Sequence, residues 1–181
     1  MTAKTARSRV RDHFHTYLGA PRAATKHAGV DVLEFAAQPE QGCVTWVTVG
    51  LGGRSVKKIP INRELSFCCY ERFAGPVIAA LLGGVAKRIL ETGVPHYWGD
   101  LLDGHPVAGT AMTALYVSQP VFWPHGFEAI PPERPEVWVA WLVPVRASEA
   151  KHIERFGAKD FDIRIEEEDA DLMDLGRKAL I

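Results

Sequence analysis

The chain has 181 residues, 47% of them hydrophobic and 24% charged, with a formal net charge of −1. This is the balance of an ordinary soluble globule, and bulk electrostatics call for neither nucleic acid nor an anionic membrane as partner. No stretch approaches the roughly 20 apolar residues of a membrane helix, and the basic start MTAKTARSRVR lacks the apolar core of a secretion signal.

The length suits one domain over residues 1–181, with 1–16 as a helix or arm and 166–181 as an acidic segment. Residues 5–18 put Val10, Phe14, Tyr17 and Leu18 along one side of a helix that Gly19 and Pro21 stop. His13 and His15 fall inside it, about 200° apart, too far round to share an ion. Residues 30–36 are a short apolar run ended by the turn QPEQG. CVTWVTVGL alternates and is rich in β-branched residues, the pattern of a strand. GLGGRS, residues 50–55, resembles a phosphate loop superficially. Such a site needs a helix N-terminus immediately afterwards, and VKKIPIN follows instead, so a hairpin turn is expected. NRELSFCCYERF reads as the next strand, with Leu65, Phe67 and Cys69 on one face and Glu64, Ser66 and Tyr70 on the other. Cys43, Cys68 and Cys69 make a poor disulfide framework; reduced, inert, buried thiols and a cytoplasmic location are expected.

Pro76 opens a helix that runs to about residue 90, with Val77, Ile78, Leu81, Leu82, Val85 and Ile89 as its apolar stripe. Gly83 and Gly84 inside it each cost roughly 1 kcal/mol against alanine, which close packing onto a sheet would justify. The next loop carries His96, Asp100, Asp103 and His105. All four are metal-ligand types, but their spacing matches no compact zinc motif; solvated or capping roles are expected, with a small metal-assisted hydrolase as the alternative. TAMTALYVSQ is another strand, and PVFWPHGFEAIPPERPE is too proline-rich for regular structure. Trp123, Phe127 and Ile130 either fold back as a lid on the core or form a rigid contact patch, which makes Trp123, His125 and Phe127 candidate partner-binding residues.

EVWVAWLV is apolar on both faces, as in a central strand covered above and below, and Pro144 should end it. A helix follows, with Glu149 in its first turn, Gly157 as its stop and Ala150, Ile153 and Phe156 facing inward. Glu166, Glu167, Glu168, Asp169, Asp171 and Asp174 read as a solvated helix face or frayed tail. The sharper reading is an electrostatic lure for a basic partner through Glu166, Glu167, Asp169 and Asp171, unless the basic start (Lys4, Arg7, Arg9, Arg11) pairs with them. Four or five strands and about four helices, without βαβ alternation, indicate an α+β fold: an α/β sandwich with a central mixed, largely antiparallel sheet and helices packed on it.

VFWPHGFEAIPPERPEVWVAWLVPVRASEAKHIERFGAKDF followed by EEEDADLMDLGRKAL resembles the bacterial members of the suppressor of fused family. The shared pattern is an apolar strand ending in a proline step, a helix bearing EA, a glycine, then an acidic D-L-x-D end. VTWVTVGLGG and RELSFCCY are similar to the family's earlier strands, which carry T-x-G and E-L respectively. The resemblance runs over residues 17–180. One departure is Arg146, where relatives often have Ser or Thr to cap the helix; either Ser148 shifts the cap or Glu149 reaches back unaided. The resemblance implies an α/β sandwich with no catalytic residues and no cofactor. Animal members clamp a transcription factor's peptide with the help of a second domain, which this chain looks to lack. Bacterial members look like immunity proteins of polymorphic toxin systems. The expectation is therefore a non-enzymatic, cytoplasmic protein-binding domain whose partner is another protein, possibly a toxin domain. Homodimerisation through residues 123–132 or the Pro76 helix is the remaining option.

Overall fold

The computed structural model describes residues 3–131 and 136–181. Its elements are α1 (Ala3–Leu18), β1 (Ala23–His27), β2 (Val30–Ala36), β3 (Cys43–Val49), β4 (Arg54–Val56), β5 (Ile59–Ile61) and β6 (Arg63–Tyr70). There follow α2 (Pro76–Thr92), β7 (Leu101–Leu102), β8 (Met112–Ser118), β9 (Ala129–Ile130), β10 (Val137–Arg146), α3 (Ala147–Phe156) and α4 (Ala158–Glu167). The main sheet has eight strands in the order β1-β2-β3-β6-β10-β8-β7, with β9 paired to β10, while β4 and β5 form a separate ribbon. Only β6 and β10 run parallel among the described strands. The α+β class, the mixed but mostly antiparallel sheet and the packed helices all agree with expectation.

β10 sits between β6 and β8 and feeds two separate cores. Val139, Trp141, Val143 and Val145 point to the face covered by α1, α3 and α4, and Ala140 and Leu142 to the face covered by α2. Alternation along a strand buried on both sides produces this division directly. A buried Leu, Val or Phe is worth about 1.5–3 kcal/mol, so the two layers together hold the sheet flat between them. On the α2 side, Gly83 earns its place: a Cβ there would lie 2.3 Å from the His27 ring of β1. Gly84 meets nothing within 4 Å, and its position has no packing explanation.

Several local expectations fail for physical reasons. β10 does not end at Pro144 but continues to Arg146. β6 pairs with it only over Trp138, Val139, Ala140 and Trp141, so by Pro144 the strand has β8 as its sole sheet neighbour, and a missing N–H on the open side costs no ladder bond. Phe156 is 55% exposed rather than inward, since the chain turns at Gly157 into α4 and Phe161 takes the buried place. Val77 likewise faces outward, while Ala79 and Ala86 join the buried stripe of α2. The tail is not frayed: Leu172, Met173 and Leu175 are buried, while Glu166, Glu167, Glu168, Asp169 and Asp171 reach solvent. The hairpin turn lies not in GLGGRS but at Lys57 and Lys58, both at positive φ, between β4 and β5. Arg146 makes no side-chain cap; Glu149 Oε2 reaches back and accepts the Arg146 N–H at 2.7 Å.

Candidate functional site

The GLGG loop does bind an anion, but it is the protein's own. Glu64, the second residue of β6, is fully buried and aims its carboxylate at the loop. Oε1 accepts the N–H groups of Gly50 (2.8 Å), Leu51 (3.1 Å) and Gly52 (3.0 Å). The Thr48 hydroxyl donates to Oε2 at 2.6 Å and in turn accepts the Leu65 N–H at 2.8 Å. Burial pushes the carboxyl up to about 7 against the pull of these donors, because no cation stands beside it. A second buried carboxylate, Glu149 of α3, is held quite differently. Arg177 grips it through both guanidinium arms, Nη2 lying 3.0 Å from Oε2, and Leu180 N–H adds a bond of 3.1 Å.

Neither network meets solvent, so neither is a binding site. The open feature is a cleft of about 560 Å³ between the end of β8, the start of α4 and the segment after β8. Its floor is Tyr116, Leu172 and Trp141, whose buried indole N–H has no hydrogen-bond partner. Beside it stand three apolar side chains that remain in water: Val121 (66% exposed), Phe122 (41%) and Trp98 (40%). Its α4 side carries Asp162 and Glu166, with Lys159 one turn before Asp162. Asp162 accepts the Tyr116 hydroxyl at 2.7 Å, and burial with this bond raises the tyrosine's pKa. Arg164 answers Asp160 and Glu167, but Glu166, Glu168 and Asp169 have no cation within ion-pair distance among the described residues.

Arg7 and Arg11 do not neutralise this face. Arg7, Arg11 and Lys26 all gather on Asp31, at 3.1, 2.9 and 3.8 Å. The expected internal pairing is therefore absent for Arg7 and Arg11, because α1 packs beside β2 and β3 rather than beside α4. Lys4 lies among side chains outside the described set.

The aromatic segment folds back as a lid. Trp123 stacks on Phe127 at 5.1 Å, and Phe127 sits against Phe14 and Tyr17 of α1. Trp123 and Phe127 are thus buried in the free chain rather than forming an exposed patch, and of the two only Trp123 borders an open pocket, beside His125. His125 projects fully into solvent, 3.3 Å from Glu128. Residues 132–135 of this segment fall outside the described residues. Glu166, Glu167, Asp169 and Asp171 are exposed, but Asp171 is partly spent on the Tyr70 hydroxyl at 2.8 Å and on turn N–H groups.

His96 and Asp100 approach to 3.8 Å, while Asp100 also accepts the Tyr97 N–H at 2.8 Å. Among the described residues no three potential ligand side chains converge, so His96, Asp100, Asp103 and His105 are not brought together as a metal centre. Burial lowers the pKa of both histidines. The three cysteines are free and buried; burial raises all three thiols, Cys69 to about 12, so none is a ready thiolate. No described helix is long and apolar enough to cross a membrane.

The family model for suppressor of fused protein (SUFU) matches residues 26–178. The chain belongs to the suppressor of fused family. Its fold is shared with a SUFU homologue from Neisseria gonorrhoeae FA 1090 (TM-score 0.82, 14% identity, 98% of each chain covered). A chain of a Sufu–Fu complex aligns at TM-score 0.67 and 13% identity, over 98% of this chain and 91% of that one. Drosophila Suppressor of Fused aligns at TM-score 0.59 and 12% identity, covering 83% of this chain but 42% of its own. No curated protein matches the sequence. The SUFU motifs read from the sequence now have a physical meaning. T-x-G (Thr48, Gly50) and E-L (Glu64, Leu65) are the two halves of the first carboxylate network. The EA of α3 and the arginine after D-L-x-D are the two halves of the second. Sequence reasoning quoted these residues without seeing that they meet, and it missed Trp98 and Phe122, whose only signal was an aromatic in a polar loop.

Proposed function

We propose that this SUFU-family chain is a non-catalytic, cytoplasmic protein-binding domain of immunity type, which neutralises a toxin domain by occupying it. The carrying observation is the cleft beside Trp98, Val121 and Phe122, an apolar trough whose α4 side carries Asp162 and Glu166 with Lys159, and where Glu166 forms no ion pair among the described residues. Such a surface fits a segment with apolar side chains flanked by lysine or arginine. Aromatic anchors supply the affinity and the carboxylates the orientation and encounter rate. His125, Glu166, Glu167 and Asp169 lie on the accessible surface available to such a partner. The relative crystallised as a Sufu–Fu complex supports a protein partner in general terms.

Affinity capture from the source cell, identification of the captured chain and its titration against the purified domain test the reading. A stoichiometric complex is expected, weakened at least about ten-fold by Asp162→Lys/Glu166→Lys and by Phe122→Asp. Failure to recover any stoichiometric protein, or full affinity in both variants, overturns it. Light scattering of the free domain separates this from self-association.

A further inference from the structure

Arg63 opens β6 and is only 7% exposed, yet no carboxylate stands near it among the described residues. Arginines at that depth are ordinarily paired, because a guanidinium removed from water without an oxyanion is costly. Here the one acceptor is the carbonyl of its neighbour Asn62, at 3.4 Å, and Nε has no partner. The guanidinium instead lies against the rings of Tyr97 (5.1 Å) and Trp98 (5.7 Å). Trp98 also meets Trp138 edge-on at 5.7 Å, and Trp138 is the residue opposite Arg63 in the β6–β10 pair. Desolvation lowers the arginine's pKa. Ring faces attract a cation but accept no fork of hydrogen bonds.

We infer that Arg63, Tyr97, Trp98 and Trp138 form a second subsite that takes one carboxylate carried on an apolar peptide segment. The planar fork with its unused donors matches a carboxylate edge-on. A single guanidinium balances one negative charge. A phosphate would keep excess charge and demand more than one cation, and the surrounding rings offer apolar contact instead. Tyr97 and Trp98, both partly exposed, lie on an irregular segment between Gly93 and Gly99, so their rings cover the arginine without sealing it. This subsite shares Trp98 with the cleft but depends on neither its acidic side nor the identity of a toxin partner.

The test uses the full chain and three probes: N-acetyl-Leu-Glu-Leu-amide, its Gln counterpart and inorganic phosphate, followed by tryptophan fluorescence. The Glu peptide should saturate the signal and bind at least about ten-fold more tightly than either control. Arg63→Lys should weaken it and Arg63→Met and Trp98→Ala should abolish it, while Asp162→Lys/Glu166→Lys leaves it intact. Because the arginine has no carboxylate partner among the described residues, Arg63→Met should keep or raise the thermal midpoint, whereas a structural arginine would lower it. Equal binding of the Glu and Gln peptides, phosphate binding as tight as the Glu peptide, or unchanged binding in Trp98→Ala overturns the inference. So does a clear fall in the thermal midpoint of Arg63→Met.

Discussion

Glu64 and Glu149 are both carboxylates sealed from solvent, and the fold neutralises them in opposite ways. Glu149 has a guanidinium in bidentate contact, so charge meets charge. Glu64 has only dipoles: three backbone N–H groups and a hydroxyl. Dipoles satisfy the oxygens without removing the net charge, which is why burial drives Glu64 to about 7. The first arrangement ties the C-terminal segment to α3; the second bends the loop after β3 around the start of β6.

The difference is sharpest when one partner is removed. Arg177→Met leaves Glu149 charged and buried, and urea unfolding should show a loss of about 3–5 kcal/mol, much of it recovered in Glu149→Leu/Arg177→Met. Glu64→Ala strands N–H donors rather than a charge, and the loss should be nearer 3 kcal/mol. Glu64→Gln keeps an acceptor for the loop and removes the charge. Glu64 protonates more readily folded than unfolded, so its contribution is full below about pH 4.5 and declines as pH rises towards about 7. Over that window the wild type should lose up to about 3 kcal/mol relative to Glu64→Gln, with the two curves parallel above it. A wild-type profile superimposable on that of Glu64→Gln would show that the loop screens the charge completely. The smallest effect belongs to an exposed carboxylate without an ion-pair partner among the described residues: Glu166→Lys should shift stability by no more than about 0.5 kcal/mol while weakening partner binding.

Much of the fold is legible in the residues. The period-two run of β3, the doubly apolar β10 and the Pro76-to-Gly93 helix each declare themselves within one window. β1 does not, because AATKH is an exposed edge strand held by pairing with β2 rather than by apolar alternation. α4 does not either, because Phe161 is its only buried side chain and the rest of AKDFDIRIEE shows no apolar stripe. The candidate site was legible only in part. The acidic residues are exposed as expected, whereas Trp123 and Phe127 are buried under the lid they form. Trp123 and Phe122 are adjacent and equally apolar, and only the position of Phe127 and α1 decides which one is buried.

By itself the sequence determined the strands and helices with strong periodicity, the reduced state of the thiols and the near-neutral charge, since each follows from neighbouring residues and their intrinsic chemistry. The tertiary structure alone decided that Thr48 reaches Glu64, that Glu149 reaches Arg177 and that Arg63 reaches no carboxylate among the described residues. Those outcomes depend on distances across strands and layers, where a charge is stabilised or left waiting by whatever the fold happens to bring beside it.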